Sequence, residues 1–206
     1  MPRQTLEQTA IKVDEILDAC EFIYRNHHFK DITIKEIAAL AKTTRTSLYT
    51  YFQSKEEIFL ALFEREYTRW SLDLQRICQY DALDVSQLSR ELTLTLQKRE
   101  ILLKILSSNI YDMEENSRIE KLVSFKKAYG NSKNMMSCVL NRFMPQMNEQ
   151  DIASFLLSFL PFMHGVYLYA YPTSKQRQAM DMADVAYEIH SIYDLSYSFL
   201  LKSLSI

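Results

Sequence analysis

Between Lys42 and Lys55 the chain carries three cations, Lys42, Arg45 and Lys55, and no acid, although its overall formal charge is −2. Thr44, Thr46, Ser47, Tyr49 and Thr50 stand between them. This set recognises anions and base edges rather than making or breaking bonds. The planar donor fork of Arg45 matches guanine O6 and N7, and the Thr46 methyl group suits a thymine methyl. Ser47, Tyr49, Thr50 and Lys55, with the helix-start amides near Thr33 and Ser54, are suited to phosphate oxygens. Elsewhere the sequence lacks converging catalytic groups. The histidines are His27, His28, His164 and His190, with no His-Glu-x-x-His pair, nucleophile elbow or phosphate loop, so an all-helical enzyme is disfavoured and no cofactor or metal is expected.

Positioning such a row needs short, well-capped helices. Val13, Ile16, Leu17, Cys20, Ile23 and Tyr24 recur at three- and four-residue steps and predict a first helix over 13–24. Thr33 and Glu36 form a capping box that opens a second helix, 34 to about 40, and Thr44 caps a third over roughly 45–51. A further box at Ser54 and Glu57 starts a long helix that continues past Trp70. Two short helices joined by a tight turn have the geometry of a helix-turn-helix, in which one helix crosses the DNA backbone and the next enters the major groove. Ala38 lets the two helices approach closely, while Ile37 and Leu48 fill the space beneath.

Composition agrees with an all-α protein. Only two glycines and four prolines occur in 206 residues, too few for the turns of a sheet-rich fold. Helices are predicted over 86–98, 100–108, 118–143 (opened by a Ser117–Glu120 box), 148–171 and 182–204, the last with Val185, Ile189, Ile192 and Phe199 at helical spacing. Cys20, Cys78 and Cys138 are odd in number and widely separated, which implies a reducing compartment and ordinary core thiols. The first thirty residues lack the apolar block of a secretion signal, so the cytoplasm is expected. Residues 153–171 approach the length of a membrane span, but Ser154, Ser158, Pro161, His164 and Gly165 interrupt them, and a buried helix at a subunit interface is the better reading.

Residues 13–63 resemble the N-terminal domain of the TetR (tetracycline repressor) family of bacterial regulators. The resemblance rests on Ile16-Leu17-Asp18-Ala19, on Thr33 with Ile37-Ala38-Ala39-Leu40-Ala41, and on Leu48-Tyr49-Thr50-Tyr51-Phe52-Gln53-Ser54-Lys55-Glu56. It implies a three-helix DNA-binding domain over 1–54, a linker helix from about 55, and a larger helical ligand-binding and dimerisation domain over 55–206. It also implies a homodimer on a palindromic operator in double-stranded DNA, acting as a repressor released by a small-molecule effector. Base contacts fall on Arg45, Thr46 and Tyr49 by this resemblance, and phosphate contacts on Thr33, Ser47, Thr50 and Lys55. The sequence departs from the family at Lys42 and Thr46, where glycine is frequent, at Thr43, and at His27-His28. If Lys42 must adopt positive φ, the strain is roughly 1 kcal/mol.

The middle of the chain is rich in aromatics and methionines suited to an apolar pocket: Trp70, Met113, Phe125, Phe159, Phe162, Met163 and Tyr167, with His164 as a polar group. Phe155, Gly165, Ile189, Ile192, Ser196 and Phe199 on the closing helices are candidates for an intersubunit four-helix bundle. Besides the disfavoured enzyme, the rival reading is an all-helical protein-binding adaptor or ligand-binding protein that never touches DNA.

Overall fold

The computed structural model describes residues 5–108 and 110–205. These residues are built from α-helices, with no strand among them: α1 Leu6–Asn26, α2 Ile34–Leu40, α3 Arg45–Leu48, α4 Lys55–Ile77, α5 Val85–Lys98, α6 Glu100–Leu106, α7 Ile110–Glu115, α8 Ile119–Phe143, α9 Glu149–Ala170, α10 Ser174–Met182 and α11 Ile192–Leu204. Capping boxes open α1 (Thr5, Gln8), α2 (Thr33, Glu36), α5 (Asp84, Gln87), α9 (Asn148, Asp151) and α11 (Ser191, Asp194). Each box pairs orphan amides of the first turn with side-chain oxygens, so polar residues in the sequence set where these helices begin.

The chain divides into two compact units. One comprises the chain up to Glu66 together with Ser108–Ala128, and the other comprises Tyr67–Ser107 and the chain from Tyr129 onward. In the first, Ile16, Cys20, Tyr24, Ile37, Leu48, Phe52, Phe59 and Phe63 form the core. Tyr24 and Phe29 meet Phe59 edge-on, with ring centroids 4.9 and 4.7 Å apart, and Phe125 stacks on Phe63 at 4.6 Å. In the second, α5 and α11 form the most extensive helix pair, and α9 packs on α6 and α11. Ser89, Thr93 and Ser196 are wholly buried; small side chains there let α5 and α11 approach closely.

Several elements differ from the sequence expectation. α3 is only four residues long, because Thr50 and Tyr51 bond back to Ser47 and Leu48 three residues away and the chain leaves α geometry. α8 opens at Ile119, and the Ser117 hydroxyl donates back to the Met113 carbonyl at 2.6 Å. The six-residue α7 carries too few apolar positions to show a period. The largest correction lies in 182–204, which is not one helix. Met182 ends α10: Asp184 takes φ 51°, Val185 bonds to the Met180 carbonyl, and Asp184 bonds to that of Asp181. This left-handed stop leaves Val185 and Ile189 exposed in a connecting segment before the Ser191 cap. The cysteines also differ from expectation: only Cys20 is a core thiol, while Cys78 is half-buried and Cys138 exposed.

Candidate nucleic-acid interface

The two short helices are set by the turn between them. At the end of α2 the Thr43 amide bonds to the Ala38 carbonyl at 2.9 Å and the Lys42 amide to that of Ala39 at 3.2 Å, with Lys42 at φ 49°. This is a Schellman closure with lysine at the left-handed position that glycine usually fills. The strain anticipated at Lys42 is therefore present. Lys42→Gly is expected to raise the unfolding free energy of the first unit by about 1 kcal/mol, read from urea melts. No gain, or a loss, would show that the lysine side chain stabilises the turn.

Beyond the turn the Thr44 side chain caps α3, accepting from the Ser47 amide at 3.1 Å. Ile37, Ala38 and Leu48 are buried beneath, and Arg45, Thr46, Tyr49 and Thr50 are exposed, with Ser47 half-buried. Some polar atoms of this row have local duties. The Thr50 hydroxyl donates to the Ser47 carbonyl at 2.7 Å, and the Thr33 hydroxyl donates to Glu36 Oε2 at 2.7 Å within its capping box. Lys55 Nζ donates to the Phe29 carbonyl at 2.8 Å and lies 4.2 Å from the Phe29 ring centroid, which fixes it against the segment following α1. An ammonium has three donors, so this contact leaves capacity for an anion. Lys30 and Lys35 are also exposed in this unit; the sequence reading passed over both because they lie outside the hydroxyl-rich run.

The rear of the row is held by a buried carboxylate. Glu57 accepts from the Gln53 amide at 2.8 Å, the Arg118 amide at 3.1 Å, and Arg118 Nε and Nη2 at 2.7 and 2.9 Å. The Ser54 hydroxyl accepts from the Glu57 amide and donates to the Asn116 carbonyl at 3.0 Å. Burial alone would raise the Glu57 pKa. The Arg118 guanidinium and the two amides override it, bringing the group down to about 2. Of the box expected here, the Ser54 hydroxyl takes the Glu57 amide, but the Glu57 carboxylate goes to the Gln53 amide and to Arg118, a partner 61 residues away that left no local signal.

The residues predicted to line a pocket are divided between the two units. Met113 and Phe125 belong to the first unit; Trp70, Phe159, Phe162, Met163, His164 and Tyr167 belong to the second. Within the second unit Trp70 is wholly buried, donates from Nε1 to Thr95 Oγ1 at 3.0 Å, and lies 6.3 Å from the Phe159 ring. Phe199 meets Phe159 at 6.2 Å and stacks on Phe162 at 4.0 Å. His164 is exposed, its Nδ1 3.1 Å from the Leu106 carbonyl oxygen, and Lys104 approaches the Tyr167 ring. Two grooves on this unit, of about 450 and 430 Å³, are lined by other residues, among them Asp73, Tyr80 and Lys98 in one and Tyr129, Lys133 and Leu157 in the other.

Of the residues expected at a subunit interface, Phe155, Ile192 and Ser196 are buried within the second unit, Phe199 and Gly165 are half-buried, and Ile189 is exposed off any helix. Leu157 and Leu168 on the outer side of α9 are 77 % and 54 % exposed, an apolar surface that periodicity could not separate from the inner one. By length and composition α9 is also able to cross a membrane, and one third of its most apolar stretch is buried.

Comparison with known proteins gives the same architecture. Residues 16–62 match the family model described as bacterial regulatory proteins, tetR family, and residues 64–192 match the tetracyclin repressor-like C-terminal domain. No curated protein matches the chain in sequence. Among solved structures the chain is similar to the TetR family transcriptional regulator PfmR of Thermus thermophilus, at 12 % identity and TM-score 0.64 over 92 % of this chain and 96 % of that one. It is also similar to the fatty acid degradation regulator FadR of Bacillus halodurans, at 16 % identity and TM-score 0.57, with 97 % of each chain covered. FadR of Bacillus subtilis, solved with stearoyl-CoA, gives 16 % identity and TM-score 0.57 over 93 % of this chain and 97 % of that one. At these identities the likeness is one of fold.

Proposed function

The chain belongs to the TetR family of bacterial DNA-binding transcriptional regulators, and from that premise we propose that it is a cytoplasmic homodimeric repressor, released from a palindromic operator by a small molecule. The reading divides it into a DNA-binding domain over 1–54 and a ligand-binding and dimerisation domain over 55–206. The observation that carries it is the outward side of the Thr44–Thr50 run, with Thr44, Arg45, Thr46, Tyr49 and Thr50 exposed on a capped turn, in a segment with cations and no acid. Arg45, Thr46 and Tyr49 take base contacts in this reading. Thr33, Thr44, Ser47, Thr50 and Lys55 take phosphates. Two copies would present their reading helices to half-sites roughly 34–36 Å apart. Pairing would cover the Leu157 and Leu168 side of α9, beside Gly165 and Phe199.

Duplex selection from a random pool, followed by gel shift at two salt concentrations, tests this. A palindrome is expected to be enriched and its binding to weaken steeply with salt. No enrichment would favour the protein-binding adaptor. Arg45→Ala is expected to cost about 1–3 kcal/mol on the selected site and to relax preference at one base pair, whereas Lys55→Ala weakens all duplexes alike. Equal uniform losses from both would contradict the division of roles. The effector is assigned to the aromatic cluster of Trp70, Phe159 and Phe162, acting by population shift on α4, which supplies residues to both units. Equal operator affinity with and without a ligand shown to bind would eliminate this mechanism.

A further inference from the structure

Two of the three cysteines share a surface of the second unit. Tyr67 of α4 meets Tyr129 of α8 with ring centroids 5.5 Å apart, and Arg142 Nη2 of α8 donates to the Tyr80 carbonyl at 2.9 Å across 62 residues of sequence. The two contacts have the same sequence spacing, so the chain from Tyr67 to Tyr80 runs alongside α8 in parallel and in constant register. In that register Cys78, the first residue after α4, lies level with the turn of α8 that ends near Leu140. Cys138 lies in that turn, one helical turn before Arg142 and so on the same side of α8. The two sulfurs are also close enough for charge on one to affect the other: burial, then Cys138, raises the Cys78 pKa, while Arg142 lowers it. Cys138 is exposed, Cys78 half-buried and both are free thiols, whereas Cys20 is wholly buried.

We propose that Cys78 and Cys138 form a peroxide-oxidisable dithiol that closes to an intramolecular disulfide between the end of α4 and α8. The exposed Cys138 thiolate attacks one oxygen of a hydroperoxide; the S–O bond forms as the O–O bond breaks, and the departing alkoxide or hydroxide takes up a proton. Cys138 is then a sulfenic acid. The Cys78 sulfur attacks it, the S–S bond forms, and the displaced hydroxide leaves as water with the Cys78 proton. The two thiols together lose two electrons and two protons, and the peroxide is reduced to an alcohol, or water, plus water. Arg142, which bonds to the Tyr80 carbonyl two residues past Cys78, is the cation whose charge favours the Cys78 thiolate. A thiol reductant reopens the bond, which accords with a transient disulfide in a reducing compartment.

The test treats the reduced full-length protein with hydrogen peroxide, alkylates it under denaturing conditions, and reads intact and peptide masses. All three thiols of the reduced chain should alkylate. After oxidation only Cys20 should, the chain should be lighter by two hydrogens, and a Cys78–Cys138 linked peptide should appear and vanish with dithiothreitol. Cys78→Ser should stop at a Cys138 sulfenic acid trapped by dimedone, and Cys138→Ser should leave Cys78 alkylatable. The proposal is overturned if three thiols survive excess peroxide, if Cys138 goes on to sulfinic acid in the unaltered chain, or if the bond formed joins two chains. None of these readings depends on the operator.

Discussion

Glu57→Ala is expected to lower the stability of the first unit by about 3 kcal/mol, because it strips the partner from Arg118 and from the Gln53 and Arg118 amides at once. Loss of one member of a buried pair costs about 3–5 kcal/mol. Arg118 is 37 % exposed, so its stranded charge reaches water and the effect falls at the lower end. Urea unfolding followed by helical circular dichroism measures it; a loss below about 1 kcal/mol would mean that the carboxylate does not hold the turn after α3. The same group makes stability depend on acid. Its folded pKa, about 2, lies below the unfolded value, so its contribution is complete above the ordinary glutamate range and disappears as pH falls from about 4.3 toward 2. Glu57→Gln should flatten that part of the pH profile.

The second large effect belongs to Trp70. Trp70→Ala should cost about 3–5 kcal/mol, since it empties the space between Phe159 and Thr95 and removes the indole donor from the Thr95 hydroxyl. Trp70→Phe keeps most of the apolar volume and should lose markedly less. The magnitude also bears on the effector: a small loss from Trp70→Ala would mean that the indole borders open space rather than filling the core. If the loss is large, a ligand reaching this cluster must displace packed side chains, and the binding-competent conformer is a minor one whose scarcity weakens apparent affinity.

The chain's polar punctuation was the most readable part of its sequence. Thr33, Thr44 and Asn148 placed three helix starts where the structure has them, because a cap is a local event between residues two or three apart. The outward row from Thr44 to Thr50 followed from the same caps together with Ala38, Ile37 and Leu48 below. What failed was distant or cancelled by backbone geometry. Val185 and Ile189 have helical spacing, yet the left-handed Asp184 ends the helix before them. Glu57 looked like half of a local box, and nothing nearby announced Arg118. Cys78 and Cys138 looked unrelated because the link between them runs through the register of α4 on α8, which sequence distance does not show. The two sides of α9 are equally apolar, so Phe155 and Leu157 differ only once neighbouring helices have chosen one of them.

The pairing of α5 with α11 sets a timetable for synthesis. Ser86 Oγ and Tyr197 Oη lie 2.9 Å apart across 111 residues, so the apolar side of α5, with Leu88, Leu92 and Leu96, emerges from the ribosome long before its mate is translated. At bacterial elongation speeds of about 5–20 residues per second the wait is on the order of ten seconds. A message cut short upstream of Ser191 would strand that leucine ridge in water and leave it to chaperones or proteases.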